Sequence, residues 1–125
     1  MAASRTESRN RATTPLTTAT LYVLLSLADG ERHGYAIARE IESISKGTVR
    51  MGPGTLYGTL QRLVAGGFVE PAPAPRHGRD DPRRRYYRLT SRGRSALEVE
   101  VHRLAAVLAV ARRRHLLDTT RPEPA

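Results

Sequence analysis

The segment from Arg50 to Leu63, RMGPGTLYGTLQRL, constrains the fold of this 125-residue chain more than any other stretch. Pro53 indicates the start of a helix, because its fixed φ angle suits the first helical turn. Apolar side chains then recur at the spacing of one buried helix face, at Leu56, Leu60, Leu63 and Val64. The opposite face carries small, hydroxyl-bearing or cationic residues, namely Thr55, Gly58, Thr59 and Arg62. Such a face can lie against a phosphate backbone and base edges.

Two shorter helices are predicted before this one. The first runs from about Leu16 to Ala28, and Asp29-Gly30 ends it. The second runs from Gly34 or Tyr35 to about Ser45. The helix that begins at Pro53 ends at a glycine pair, where a left-handed backbone is easily adopted. Three helices therefore follow one another in the first half of the chain.

An arginine-rich β-hairpin is predicted next, with strands at Phe68–Glu70 and Arg85–Leu89. Alternating prolines follow the first strand, and these do not suit the interior of a sheet. The chain has a net charge of +9, and residues 76–94 hold eight arginines against two aspartates. Such a basic stretch is typical of a surface that binds a polyanion, although a solvated loop would look the same.

A long helix is predicted from about Arg92 to Leu116, with Thr90-Ser91 as its cap. Five of its apolar residues recur with the alternating spacing of a heptad seam: Leu97, Val101, Leu104, Leu108 and Ala111. We expect this seam to pair with a second copy of the chain. The alternative, packing on its own domain alone, would leave an apolar patch exposed to water.

The predicted fold class is mainly α with a small β-hairpin. A winged helix-turn-helix domain occupies residues 15–90, and a dimerisation helix follows at residues 91–117. The polar ends are predicted to be a disordered basic arm, residues 1–14, and a disordered tail, residues 118–125.

Composition excludes several classes of function. The chain has no cysteine, which removes disulfides, thiolate metal sites and thiol nucleophiles. Its four histidines lack metal-ligand spacing, and we find no catalytic motif or phosphate-binding glycine loop, so we expect no metal, no cofactor and no enzyme activity. No apolar run approaches the ~20 residues of a membrane helix, and the start has no secretory signal. These features predict a cytoplasmic protein with no membrane partner.

Three motifs occur in order along the chain: Arg32-His-Gly-Tyr-Ala-Ile, Gly52-Pro-Gly-Thr-Leu-Tyr, and Arg85-Tyr-Tyr-Arg-Leu-Thr followed by Gly93-Arg. Together they resemble the PadR family of bacterial transcriptional regulators, in its short form with a single C-terminal helix. The resemblance covers about residues 16–116. It implies a winged helix-turn-helix homodimer, formed largely through the last helix, that represses genes by binding a palindromic operator in double-stranded DNA.

The resemblance also implies that a small lipophilic or aromatic effector releases the DNA. Some members stack flat drugs on tryptophans at the dimer interface, and this chain has no tryptophan. The sequence therefore assigns no residues to an effector site.

In helix-turn-helix docking the second helix of the motif enters the major groove, and the wing contacts phosphates or the adjacent minor groove. This assigns eight residues to DNA binding: Thr55, Tyr57, Thr59, Arg62, Arg79, Arg83, Arg84 and Arg85. On the helix, only Arg62 can make a bidentate contact with guanine. Tyr57 and the threonines fit phosphate contacts better, and a core position for Tyr57 stays open.

Two other functions stay open on the sequence alone. Positive charge would also serve an architectural DNA binder, which would bind operator and random duplex equally well. A dimeric adaptor could instead use its winged helix to bind protein, although the basic wing weighs against that function.

Overall fold

The computed structural model describes residues 15–74 and 84–117. Within these ranges the chain forms four helices and three short strands in one sheet. The elements are, in order, α1 (Thr18–Ser26), β1 (Arg32–His33), α2 (Gly34–Ile44), α3 (Pro53–Ala65), β2 (Val69–Ala72), β3 (Tyr86–Leu89) and α4 (Ser91–Arg113). The predicted fold class is thus confirmed. The predicted arm and tail, and the wing residues Arg79 and Arg83, lie outside the described residues.

Side chains cap three of the four described helices. The hydroxyl of Thr17 accepts from the Thr20 N–H at the start of α1, and that of Thr90 accepts from the Gly93 N–H at the start of α4. At the start of α2 the acceptor is an imidazole nitrogen, Nδ1 of His33. α3 begins instead at Pro53, as predicted. Each helix therefore begins where its sequence supplies an acceptor or a preset φ angle.

The core lies where α1 packs on α2, α3 and the first part of α4. Its most buried members are aliphatic: Val23, Leu24, Leu27, Ile37, Ile41, Leu56, Leu60, Leu63, Val69 and Leu97. The predicted buried face of α3 is therefore found in the structure, and it fixes which face of that helix points to solvent.

The sheet has the order β1-β3-β2, and both strand pairs are antiparallel. β1 was not predicted, because two residues are too short to show an alternating pattern. β2 continues to Ala72 and includes Pro71, whereas the prediction ended this strand at Glu70. A proline is tolerated here because β2 is an edge strand of the sheet.

Candidate nucleic-acid interface

The exposed face of α3 has residues with small or no side chains along its centre. Gly54, Gly58 and Ala65 lie there at helical spacing, together with Gln61. A Cβ atom added at Gly54 would meet nothing within 4 Å. The helix backbone can therefore approach a flat or grooved partner closely on this side.

Gln61 is exposed at the middle of this face, and the sequence analysis did not assign it a role. Its side-chain amide can form the paired hydrogen bonds that recognise adenine in the major groove. Gln61 follows Gly58 by three residues and Gly54 by seven. This helical spacing places it on the same face as the two glycines, so the sequence could have indicated its position.

Thr59 does not lie on the exposed face, where the sequence analysis placed it. Its side chain is buried, with 1% of the residue exposed, and its hydroxyl donates to the Thr55 carbonyl at 2.8 Å. The same hydroxyl accepts from Nη2 of Arg62 at 3.2 Å. Position 59 lies at the border of the two faces, one turn before the buried Leu63. The structure therefore corrects the predicted exposed position of Thr59 and shows its hydroxyl hydrogen-bonded within α3.

The sequence left open whether Tyr57 is a core residue or lies at the surface, and the structure shows features of both. Its ring packs against the start of α2, where a Cβ atom on Gly34 would overlap the Tyr57 hydroxyl. The residue is nevertheless 47% exposed. The hydroxyl end of Tyr57 is therefore anchored against α2, while about half of the residue stays exposed.

The described arginines of the basic stretch divide into two groups. Arg84 and Arg85 are exposed just before β3 and line a cleft next to α3, where Nη1 of Arg84 lies 3.2 Å from Nε2 of His33. Three others have structural contacts. Arg88 pairs with Glu70 across the hairpin at 2.8 Å, Arg92 lies 4.6 Å from the centre of the Phe68 ring, and Arg94 donates to the Ala28 carbonyl. Part of the charge that suggested a polyanion partner thus makes contacts within the domain: across the hairpin, between α4 and Phe68, and between α4 and the end of α1.

A second basic patch, formed by Arg39, Lys46 and Arg50, lines a groove beside α2. The guanidinium of Arg39 lies 5.8 Å from the centre of the exposed Tyr35 ring, and Arg50 contacts Glu42 only at 4.0 Å. The sequence analysis missed this patch, because its cations come from a helix, a turn and an extended segment. It gives the interface a cationic surface in addition to the wing.

α4 carries several exposed apolar side chains beyond Leu97. Leu97 is buried in the core and Leu104 and Ala111 are half-buried, whereas Val101 and Leu108 are 45% and 47% exposed. Three further valines are exposed on other sides of the helix: Val99, Val107 and Val110. The seam residues therefore divide between the domain's own core and a face that a single copy leaves in water.

An ion pair between a buried carboxylate and a partly exposed guanidinium lies on the same helix. Glu100 is 3% exposed and accepts hydrogen bonds from Nε and Nη2 of Arg103, at 2.9 and 2.8 Å. Hydrogen bonding from Arg103 holds the pKa of Glu100 below its ordinary value, and the Leu16 backbone N–H acts in the same direction, while burial opposes them. This pair links α4 to the segment that leads into α1.

No helix in the described part of the chain is long and apolar enough to cross a bilayer. Within the same residues, no three side chains of the metal-ligating types lie close enough together to hold an ion.

A helix-turn-helix motif followed by a basic β-wing defines the class of winged helix-turn-helix proteins. Comparison with known proteins gives the family. The model of the "Transcriptional regulator PadR-like family" matches residues 23–99. The chain belongs to this family of transcriptional regulators, as its three motifs indicated.

Two relatives resemble the chain in sequence. One is an uncharacterised 37.1 kDa protein in transposon TN4556 of Streptomyces fradiae, 45% identical over 87 residues, or 70% of this chain and 23% of that protein. The other is the transcriptional regulator Rv3488 of Mycobacterium tuberculosis, 42% identical over 77 residues, or 62% of this chain and 66% of the regulator. The match thus spans less than two thirds of either relative.

Solved structures share the fold at low sequence identity. A PadR family transcription regulator from Clostridium difficile superposes with a TM-score of 0.65 at 21% identity, covering 78% of this chain and 97% of that one. Bacillus subtilis PadR, solved in complex with operator DNA, gives a TM-score of 0.55 at 18% identity, covering 86% of this chain and 51% of that one.

Proposed function

We propose that this regulator binds double-stranded DNA sequence-specifically as a homodimer and represses transcription from a palindromic operator. The observation that carries the proposal is the exposed face of α3. Glycines line its centre and Gln61 is exposed there. The Arg62 guanidinium donates a hydrogen bond to the buried Thr59 hydroxyl. A preoriented guanidinium beside a glycine-lined helix suits a guanine edge in the major groove.

Cations around this face supply the contacts to the phosphate backbone. Arg84 and Arg85 come from the wing, and Arg39, Lys46 and Arg50 form the patch beside α2. Phosphate contacts set orientation and give most of the salt-dependent affinity, whereas base contacts from α3 give sequence preference. Arg79 and Arg83 belong to the same proposal as wing contacts. Thr55 is exposed at the start of α3 and fits a phosphate contact.

The exposed apolar face of α4 supports the homodimer. Val101 and Leu108 lie two turns apart on one side of α4 and form an exposed apolar face, which monomers usually avoid presenting to water. A second copy would cover it, and two-fold symmetry would place two α3 helices on two half-sites, which makes the operator palindromic.

Two features of the proposal come from relatives. Operator DNA is the partner named for Bacillus subtilis PadR, and regulation is the role named for the mycobacterial relative. Repression, and release by a small lipophilic or aromatic effector, follow the family resemblance. We expect such an effector to bind where α1 meets the apolar face of α4.

The experiment is to select duplexes from a random pool and then to titrate the best one against random duplex at two salt concentrations. We expect two chains per site and an affinity at least about a thousandfold higher for the selected duplex, the lower end of specific binding. Equal affinity for both duplexes would instead indicate the architectural DNA binder. Failure to bind either, with capture of a protein partner, would indicate the adaptor.

A further inference from the structure

We infer that Gln61 recognises an adenine in the major groove, and that this A·T pair lies nearer to the wing than the G·C pair contacted by Arg62. The inference rests on the proposed function and specifies which base pairs α3 recognises in each half-site. Gln61 and Arg62 are consecutive residues of α3, and both are exposed.

Gln61 and Arg62 point to different sides of the exposed face of α3. Consecutive residues of an α-helix are rotated by about 100° around its axis. Gln61 lines both of the clefts that separate α3 from the wing residue Arg85, whereas Arg62 lines neither. Gln61 is therefore on the wing side of the helix, and Arg62 lies further around it, away from the wing.

The Arg62 guanidinium lies back along α3. Its Nη1 is 3.7 Å from the position that a Cβ atom on Gly58 would occupy, and its Nη2 donates to the Thr59 hydroxyl at 3.2 Å. Helical spacing places Gly58 between Gln61 and Arg62 on the helix surface. Because Gly58 has no side chain, the two polar side chains flank a strip of bare backbone, and each can reach a different base pair.

The Gln61 amide makes no hydrogen bond that would compete with a base, as far as the described residues show. Its neighbours one turn before and one turn after on this face are Gly58 and Ala65, which are too small to cover it. The amide therefore keeps both its donor and its acceptor for a partner outside the protein.

Adenine is the base whose edge matches a glutamine amide. In the major groove adenine presents an acceptor, N7, beside a donor, the N6 amino group, so the amide can form two hydrogen bonds with it. Guanine presents two acceptors there, which would set the amide oxygen against one of them. Cytosine and thymine each offer a single polar group. Gln61 thus favours an A·T pair, whereas Arg62 suits guanine.

The wing determines the order of the two base pairs. When the recognition helix lies in the major groove, the wing lies at the adjacent minor groove. A side chain on the wing side of α3 therefore reaches a base pair closer to that minor groove than a side chain on the far side does. This places the adenine of each half-site between the wing and the guanine.

The test replaces single atoms in the selected duplex. Each adenine, and then each guanine, is exchanged in turn for its deaza analogue, in which carbon replaces the N7 acceptor and base pairing is kept. For the wild-type protein we expect an adenine and a guanine in each half-site at which the exchange weakens binding at least about threefold, through loss of one hydrogen bond.

Gln61→Ala and Arg62→Ala should lose opposite sensitivities. Gln61→Ala removes the amide and keeps the helix, because alanine is the best helix former. It should be insensitive to the exchange at the adenine and stay sensitive at the guanine, and Arg62→Ala should show the reverse. Arg39→Ala is the control, since it removes a cation from the patch beside α2. It should weaken binding and keep both sensitivities.

A cleavage probe on the wing measures the order of the two base pairs. The chain has no cysteine, so Ala74→Cys provides a single attachment point for an iron chelate that cuts nearby DNA. Ala74 is exposed two residues after the end of β2. Cleavage marks the wing end of each half-site, and the sensitive adenine should lie between the cut and the sensitive guanine.

The outcomes separate this inference from the proposed function. If the wild-type protein prefers no duplex, both fail. If it binds the selected duplex but no adenine is sensitive, or Gln61→Ala keeps the sensitivity, only the inference is overturned. An equal loss of affinity for selected and random duplex in Gln61→Ala, or a sensitive guanine nearer to the wing than the adenine, would overturn it as well.

Discussion

The buried hydroxyl of Thr59 accepts a hydrogen bond from the guanidinium of Arg62, with 3.2 Å between Oγ1 and Nη2. Only 1% of Thr59 is exposed to solvent. Arg62 lies about one turn further along α3, and its side chain is exposed. The buried Thr59 therefore orients the side chain of the exposed Arg62. Holding a flexible side chain before binding reduces the entropy lost on complex formation.

Thr59→Val should lower sequence discrimination with little change in stability. Valine has a similar shape, and the Thr55 carbonyl keeps its helical hydrogen bond. Without the hydroxyl, Arg62 loses its acceptor, and we expect affinity for the selected duplex to fall about threefold to tenfold, the effect of one hydrogen bond. Affinity for random duplex should not change. Thr59→Ser, which keeps the hydroxyl, is the control, and wild-type affinity in Thr59→Val would refute the orienting role.

Arg62→Ala should remove most of the preference at one base pair of each half-site. A bidentate contact with guanine contributes ~1–3 kcal/mol of discrimination, and alanine has no donor to replace it. Titration against duplexes that carry each of the four base pairs at that position measures the effect. An equal loss of affinity on operator and random DNA would instead assign Arg62 to a phosphate.

The double variant Arg84→Gln/Arg85→Gln should flatten the salt dependence of DNA binding. Each phosphate contact contributes ~0.9 to the slope of log affinity against log salt, and the proposed dimer loses two contacts in each protomer, so the slope should fall by ~3.6. Titrations at several salt concentrations give this slope. Arg112→Gln/Arg113→Gln, with the same change in charge at the end of α4, is the control. If the two double variants have the same slope, the wing arginines do not contact phosphates.

Leu108→Lys should dissociate the proposed dimer. Burial of a leucine contributes ~1.5–3 kcal/mol, and a symmetric interface buries it twice, so the dissociation constant should rise at least about a hundredfold. Sedimentation velocity across a concentration series measures this constant. His102→Lys places the same charge at another exposed position of α4 and should remain dimeric. A dimeric Leu108→Lys protein would show that another surface joins the copies.

Glu100→Gln should destabilise the protein at neutral pH, and the difference from wild type should vanish in acid. Because the pKa of Glu100 is lowered on folding, its carboxylate contributes stability above the ordinary value of 4.5. That contribution is lost as the pH falls through the lower pKa of the folded state. Unfolding midpoints of the two proteins between pH 7 and pH 3 measure the effect, and a gap that does not depend on pH would contradict it.

The sequence was most informative where a local pattern repeats. Leu56, Leu60 and Leu63 predicted the buried face of α3, and Pro53 predicted its start. It failed at Thr59, because one residue at the border of two helix faces turns inward or outward according to what packs there. It also failed at β1, which pairs with β3 but is too short to form a pattern.

Charge was the least reliable guide to the candidate site. The sequence cannot separate Arg84, exposed beside α3, from Arg88, which pairs with Glu70 across the hairpin. Both belong to one arginine-rich stretch. The contrast depends on strand register, since Glu70 lies opposite Arg88 only once β2 and β3 are aligned.

The sequence by itself determined the order of the elements, the apolar faces of the helices and the family, because these depend on spacing along the chain and on three local motifs. The tertiary structure alone decided that His33 approaches Arg84, 51 residues later, and that only part of the α4 seam is covered by its own domain. Both depend on how helices and sheet pack in three dimensions, where residues distant in sequence become neighbours. Local periodicity carries no information about such contacts.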